Sequence, residues 1–298
     1  MSDLHDMDDY TRNGIMNEQI KGTIYVLLAA IALSLSGLFV KLATWDSIAV
    51  LGGKSAATLA VAAVYMKMTN YRFVFNKPVI LGGICLSLIS LMFTVATRAT
   101  SAANAIVLQY TQPFFVILLL WLIYKQRPAK AEITAVVIAF VGILFFFMDK
   151  LTPGGMTGNI IAICSGFVYA VFMLIKKMKG SDYVSSVVLS AVLNVVTCGW
   201  RIPMQTDWRP VPVLMVVLFG TVSCFFGYLF LSAGLDRIPL VTGALLTMLE
   251  PVLNPIWVAL FYGETMGVMS VVGTVILLGT AAVYSVRQIR KEQSDAVR

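Results

Sequence analysis

An all-α integral membrane protein, with ten transmembrane helices in two inverted five-helix repeats, is the fold that the sequence predicts. Three observations predict it. The chain of 298 residues is 59% hydrophobic and 12% charged, with a mean hydropathy of +0.86, whereas roughly a quarter of a soluble domain is charged. Ten stretches are long and apolar enough to cross hydrocarbon about 30 Å thick, which takes roughly 20 helical residues. The two halves of the chain also match each other at a near-constant offset.

The ten stretches lie at 22–43, 46–67, 78–97, 101–124, 131–148, 157–177, 184–200, 212–234, 238–262 and 266–286. The seventh, Val184 to Trp200, is the shortest. Residues 1–21 are expected to form a solvated tail, because Asp3, Asp6, Asp8, Asp9 and Glu18 fall in it without an apolar run. Such a tail does not read as a cleavable signal, so the first hydrophobic helix is expected to direct insertion. The first repeat then covers 22–150, the second 151–286, and 287–298 is a second tail.

The repeat rests on spacing more than on identity. Gly22, Ile24, Leu38 and Lys41 recur 136 positions later as Gly158, Ile160, Leu174 and Lys177, and Leu108, Pro113, Leu122 and Tyr124 recur 138 later as Leu246, Pro251, Leu260 and Tyr262. Five crossings per half is an odd number, so the second half enters the membrane from the opposite side. Inverted repeats of this kind frame alternating access, with the site near the midplane between the halves.

Lys and Arg counts set the orientation. With a cytoplasmic N-terminus, 16 of these residues fall on the inner side and five in the outer connections, with Lys54 left inside the membrane. Both termini are therefore expected in the cytoplasm of a multi-pass inner-membrane protein, and Trp45, Trp200 and Trp208 then sit at the outer surface as interfacial anchors. The net charge of +7 is this topology signal and calls for no nucleic acid. Cys85, Cys164, Cys198 and Cys224 show no CxxC spacing and read as small core residues. The single histidine, His5, lies in the tail, which excludes a histidine-based metal or catalytic site within the membrane.

Polar side chains interrupt two apolar segments at equivalent places. Gln109-Tyr110-Thr111-Gln112-Pro113 lies in the fourth, and Thr247-Met248-Leu249-Glu250-Pro251 in the ninth, with Asn254 and Pro255 following. Pro113, Pro251 and Pro255 are expected to break their helices, because proline lacks the amide hydrogen and displaces the carbonyl four residues earlier. Gln109 and Thr247 are then expected to present freed oxygens beside polar side chains.

Glu250 and Lys54 are the two ionisable side chains well inside the membrane. A charge there costs at least about 2.5–3.5 kcal/mol and so faces a wet cavity or a partner. Glu250 can bind a cation, accept a proton or hold the halves together; Lys54 can meet a substrate carboxylate or pair with Glu250. Ser87, Ser90, Thr94 and Thr97 form a stripe on one face of the third helix. Small residues such as Gly52, Gly53, Gly220 and Gly227 mark close helix packing. The expected substrate site is Lys54, Ser90, Thr94, Gln109, Tyr110, Gln112, Tyr169, Tyr228, Thr247, Glu250 and Asn254.

Ten helices in two inverted halves, a proline in the fourth helix, Glu250-Pro251 in the ninth, and the run Leu260-Phe261-Tyr262-Gly263-Glu264 resemble the EamA-type branch of the drug/metabolite transporter superfamily. That resemblance implies a basket-shaped carrier that exports or exchanges small organic solutes, amino acids among them, through a central cavity. Lys54 stands where the family often has a basic residue. The chain departs at Gln126, where the first half often has glutamate, and at Gln112, opposite Glu250; Glu264 keeps the second-half pattern and is expected to fix the last helix. The expected activity is secondary transport of a small polar or amphipathic metabolite, most simply an amino acid or derivative, as exporter or exchanger. Glu250 is the candidate for proton coupling. No P-loop occurs, no cofactor is expected, and the oligomer is expected to be a monomer or dimer. The alternatives are a membrane-embedded enzyme, disfavoured because aspartyl chemistry needs two carboxylates, and a non-transporting scaffold, which would have no use for a polar midplane.

Overall fold

The computed structural model of the chain describes the backbone of residues 2–262 and 267–295, and the side chains of 17–254, 256, 257, 260 and 267–290. Gly263 and Glu264 of the quoted run lie outside the described residues. All regular structure among the described residues is helical. Nine helices are long and apolar enough to span a membrane among them: α1 Asn17–Leu42, α2 Ser47–Thr69, α3 Lys77–Ala99, α4 Ala102–Tyr124, α5 Lys130–Lys150, α6 Met156–Ile175, α7 Tyr183–Met204, α8 Pro210–Leu235 and α10 Val268–Arg290. Between α8 and α10 lies α9, in two pieces, Leu240–Thr247 and Glu250–Tyr262. These ten match the ten apolar stretches in order.

Helix ends follow local chemistry. Asp46, Asn76, Ser101 and Asp182 cap α2, α3, α4 and α7 by accepting hydrogen bonds from first-turn amides. Asn70 and Lys125 end α2 and α4 in the left-handed region, at φ 52° and 55°. The N-terminal stretch is helical: helix begins at Ser2 and runs into α1. No proline precedes residue 22, so nothing stops the helix from extending back.

Proline acts as expected at two of its three predicted sites. In α4 the helix stops at Gln109 and restarts at Gln112, with Pro113 in the first turn of the new piece. In α9 it stops at Thr247 and restarts at Glu250, with Pro251 in the same place. Pro255 corrects the third expectation, because the second piece of α9 continues through it without a break. One missing amide on the second turn of a newly started helix removes a single bond, and the helix carries on.

The halves interlock through α1 with α8, α2 with α7 and α8, and α3 with α6 and α7. Gly220 of α8 lies against the Lys54 carbonyl, where a Cβ would clash, and the Thr58 hydroxyl bridges the same place, donating to the Gly220 carbonyl at 2.9 Å. Replacing Gly220 with valine is expected to destabilise the protein by about 1–3 kcal/mol through overpacking. Gly279→Ala, where an added Cβ meets nothing within 4 Å, leaves the melting temperature in detergent unchanged or slightly raised. Equal melting temperatures for the two variants would refute this packing.

Candidate functional site

Broken helices are stable in hydrocarbon only where their freed groups meet protein or water, and here the two breaks border one chamber. A cavity of about 480 Å³ lies between the repeats, within the roughly 300–1,000 Å³ of small-molecule sites. Its wall includes Lys54, Ser90, Thr94, Gln109 and Tyr110 from the first repeat, and Tyr169, Tyr228, Glu250 and Asn254 from the second.

Glu250 occupies the floor. Tyr110, Tyr169 and Tyr228 line the same cavity. A carboxylate that shares a cavity with three tyrosines suits an organic ammonium, which gains an ion pair and aromatic faces together. Lys54 lies higher on the same wall, its ammonium 4.4 Å from the Phe219 ring centre. Phe219 opens a stretch of widened, π-helical turns in α8, Phe219–Phe226, a distortion often found at functional sites. Lys54 and Glu250 share the cavity lining, with no ion pair between them among the described residues. Each is left to face the chamber.

Gln109 donates its amide to the Ser165 hydroxyl at 2.7 Å, fixing its side chain from α6. Its backbone oxygen is the one that Pro113, four residues on, leaves without a helical amide. That oxygen abuts Gly166, where any Cβ would collide with it. Asn254 packs against Gly37, just beyond the point where α1 breaks at Leu35, and the neighbouring Trp257 donates to the Ser34 hydroxyl at 2.8 Å.

Gln112 and Thr247 stand apart from the chamber. Both are fully buried, and the Gln112 amide donates to the Thr247 hydroxyl at 3.0 Å across the two repeats. Thr247 passes its own proton to the Ala244 carbonyl at 2.8 Å. The two helix breaks are thus clasped directly to each other behind the cavity.

Residues missed in the sequence also line the wall. Asn194 of α7 accepts a 2.6 Å hydrogen bond from Ser87, and Ser55, Thr58, Ser190 and Ser223 add hydroxyls. The signal for Asn194 was an amide in the middle of an apolar segment, the same signal that singled out Glu250.

The lining reaches Trp45, Ser47 and Ala102 at one end of the bundle, the tryptophan end, where Trp45 and Trp208 meet edge to face at 5.1 Å. Among the described residues, Lys176, Asp236 and Arg237 of the opposite, basic end do not line the cavity. There Phe172 and Tyr183 lie 4.4 Å apart with Tyr228 beside them, and the Tyr183 hydroxyl donates to the Phe172 carbonyl at 3.0 Å. Below this plug, Lys176 pairs with Asp236 at 2.9 Å and Arg237 with Glu18 at 3.0 Å. The Tyr71 hydroxyl donates to Asp182; burial first, then that carboxylate, pushes its pKa above the ordinary phenol range, so it stays a donor.

Against this geometry, the model of the EamA-like transporter family matches twice, at residues 20–148 and 156–286. The chain belongs to the EamA-like transporter family. It is a membrane transporter of the drug/metabolite transporter superfamily, and each match falls on one five-helix repeat. It is 24% identical to a protein of Clostridium kluyveri named an uncharacterized transporter, over 68% of this chain and 70% of that one. It is 23% identical to the threonine/homoserine exporter RhtA of Escherichia coli K12, over 80% of this chain and 83% of the exporter. A crystal structure superposes with a TM-score of 0.77 at 16% identity, covering 91% of this chain and 98% of the other, a likeness of fold.

The clasp yields a direct test. In a double-mutant cycle of Gln112→Ala and Thr247→Val, unfolding in mixed micelles is expected to give a coupling of about 0.6 kcal/mol, at most about 1.7. The pair Ser90→Ala and Thr247→Val, on opposite sides of the cavity wall, is expected to be additive. Additive energies for the clasp pair would deny it.

Proposed function

We propose that the protein is a secondary active transporter that moves a small zwitterionic metabolite, an amino acid or derivative, across the cytoplasmic membrane as an exporter or exchanger. The observation that carries this reading is the chamber between the repeats, with Glu250, three tyrosines and Lys54 in its lining. A cationic amine fits the floor, a carboxylate finds Lys54 and the hydroxyls, and Leu86, Ile89 and Val187 offer apolar wall to the remainder. The likeness to an exporter named for threonine and homoserine supports the same class.

Both termini are read as cytoplasmic from the Lys and Arg bias. The tryptophan end is then outside, and the structure corresponds to an outward-open state plugged on the cytoplasmic side. Alternating access requires the plug of Phe172, Tyr183 and Tyr228 to part while the tryptophan end closes. Glu250 is the group proposed to couple protons. It lies where a substrate amine would sit, so proton and substrate compete for one carboxylate.

Thermal stabilisation of the purified protein across a library of amino acids and their derivatives tests the substrate class. A true substrate at a hundredfold excess over its Kd is expected to add about 2.7 kcal/mol of stability. Glu250→Gln and Gln109→Ala are expected to reduce that gain, and Glu250→Gln to abolish pH-driven uptake in vesicles. Stabilisation by anionic or uncharged solutes alone would overturn the assignment, and unchanged pH-driven uptake in Glu250→Gln would remove the coupling role.

A further inference from the structure

A second cavity, of about 540 Å³, lies on the outside of the bundle between α5 and α10. Its shape follows from glycine placement. The two helices run antiparallel and touch backbone to backbone at Gly142 and Gly273, where a Cβ on Gly273 would strike Phe146, and Ser270 donates to the Phe146 carbonyl at 3.0 Å. From that crossing they splay toward the basic end. Gly279 then meets nothing within 4 Å, and a groove opens to the surrounding membrane.

The groove is polar at one end only. Lys130, the first residue of α5, and Arg287, near the end of α10, are both exposed at its rim. Neither forms an ion pair among the described residues. Glu132, the carboxylate on the same turn, accepts from the Ala129 amide at 2.9 Å and does not line the groove. Deeper in, Thr134 and Thr280 return their hydroxyls to their own helices at 2.8 and 2.7 Å. Apart from Tyr284, the remaining wall, including Ile138 and Val275, is apolar. From Arg287 to Val275 the helix rises about 18 Å at 1.5 Å per residue, comparable to one leaflet of a hydrocarbon core about 30 Å thick.

We propose that this groove is a binding site for an anionic glycerophospholipid, with its phosphate between Lys130 and Arg287 and one acyl chain lying along α10 over Gly279. Two unpaired cations at headgroup depth attract an anionic lipid and gain little from a zwitterionic one, whose ammonium meets like charge. A second copy of this chain is a poorer occupant. Isologous contact through α5 and α10 brings Lys130 and Arg287 toward their own equivalents and buries like charges together.

Native mass spectrometry of the full-length protein, titrated with phosphatidylglycerol or with phosphatidylcholine of the same acyl chains, tests the site. Phosphatidylglycerol is expected to be retained preferentially. In Lys130→Gln/Arg287→Gln its affinity is expected to fall about thirtyfold, as two surface cations imply, while phosphatidylcholine binding is unchanged. Both positions are exposed, so the double variant is expected to melt as the wild type does. Gly279→Leu, which fills the groove, is expected to weaken both lipids. Equal retention of the two lipids, wild-type phosphatidylglycerol binding in the double variant, or a protein dimer that Gly279→Leu abolishes would each overturn the proposal.

Discussion

Nothing in hydrocarbon can hydrate an interrupted helix, and that constraint shapes the centre of this molecule. α4 and α9 each break near mid-membrane, so each needs partners for groups that a continuous helix would satisfy internally. Two solutions are used at once. One is the chamber, onto which Gln109, Tyr110, Glu250 and Asn254 open. The other is the dry clasp of Gln112 and Thr247, which ties one break to the other. Both breaks are bonded to the other repeat, Gln109 to Ser165 and Gln112 to Thr247, so the two halves meet there through specific polar contacts.

The repeats are related in fold but not in chemistry at this centre. Gln112 and Glu250 occupy equivalent positions, as do Gln109 and Thr247, 138 residues apart. Gln112 bonds to Thr247, yet Gln109 turns to Ser165 of α6 and leaves Glu250 in the cavity lining. A neutral amide can be buried in a clasp at the cost of one or two hydrogen bonds. A carboxylate in the same place would carry a far larger desolvation cost. Glutamine in one repeat and glutamate in the other therefore divides the labour: one side chain bonds across the halves and the other lines the cavity.

Much of this was legible in the sequence because hydrocarbon penalises exceptions so strongly. The ten helices emerged from length and hydropathy, and Glu250, Lys54 and Gln109 stood out as polar groups where lipid-facing helices have none. Helical phase could not say which polar face meets the chamber and which meets a neighbouring helix. Gln112 and Thr247 lie on the same stripes as Glu250 and Gln109, and tertiary packing alone sends them to the clasp. Pro255 was misjudged because a proline's effect depends on how recently its helix began. Asn194 is one amide among valines and leucines in the shortest segment, and its place at the cavity wall depends on Ser87 of another helix, which no local pattern shows. The splay of α5 from α10 depends on where glycines from two distant segments meet, which no local pattern encodes.

The account stands on a water-accessible chamber with a dry clasp behind it. In a cysteine-free background, single cysteines at 109, 250, 112 and 247 can be challenged with a small membrane-impermeant thiol reagent from the tryptophan end. The account predicts labelling at 109 and 250, and protection at 112 and 247. Protection of all four, or equal labelling of all four, would contradict it.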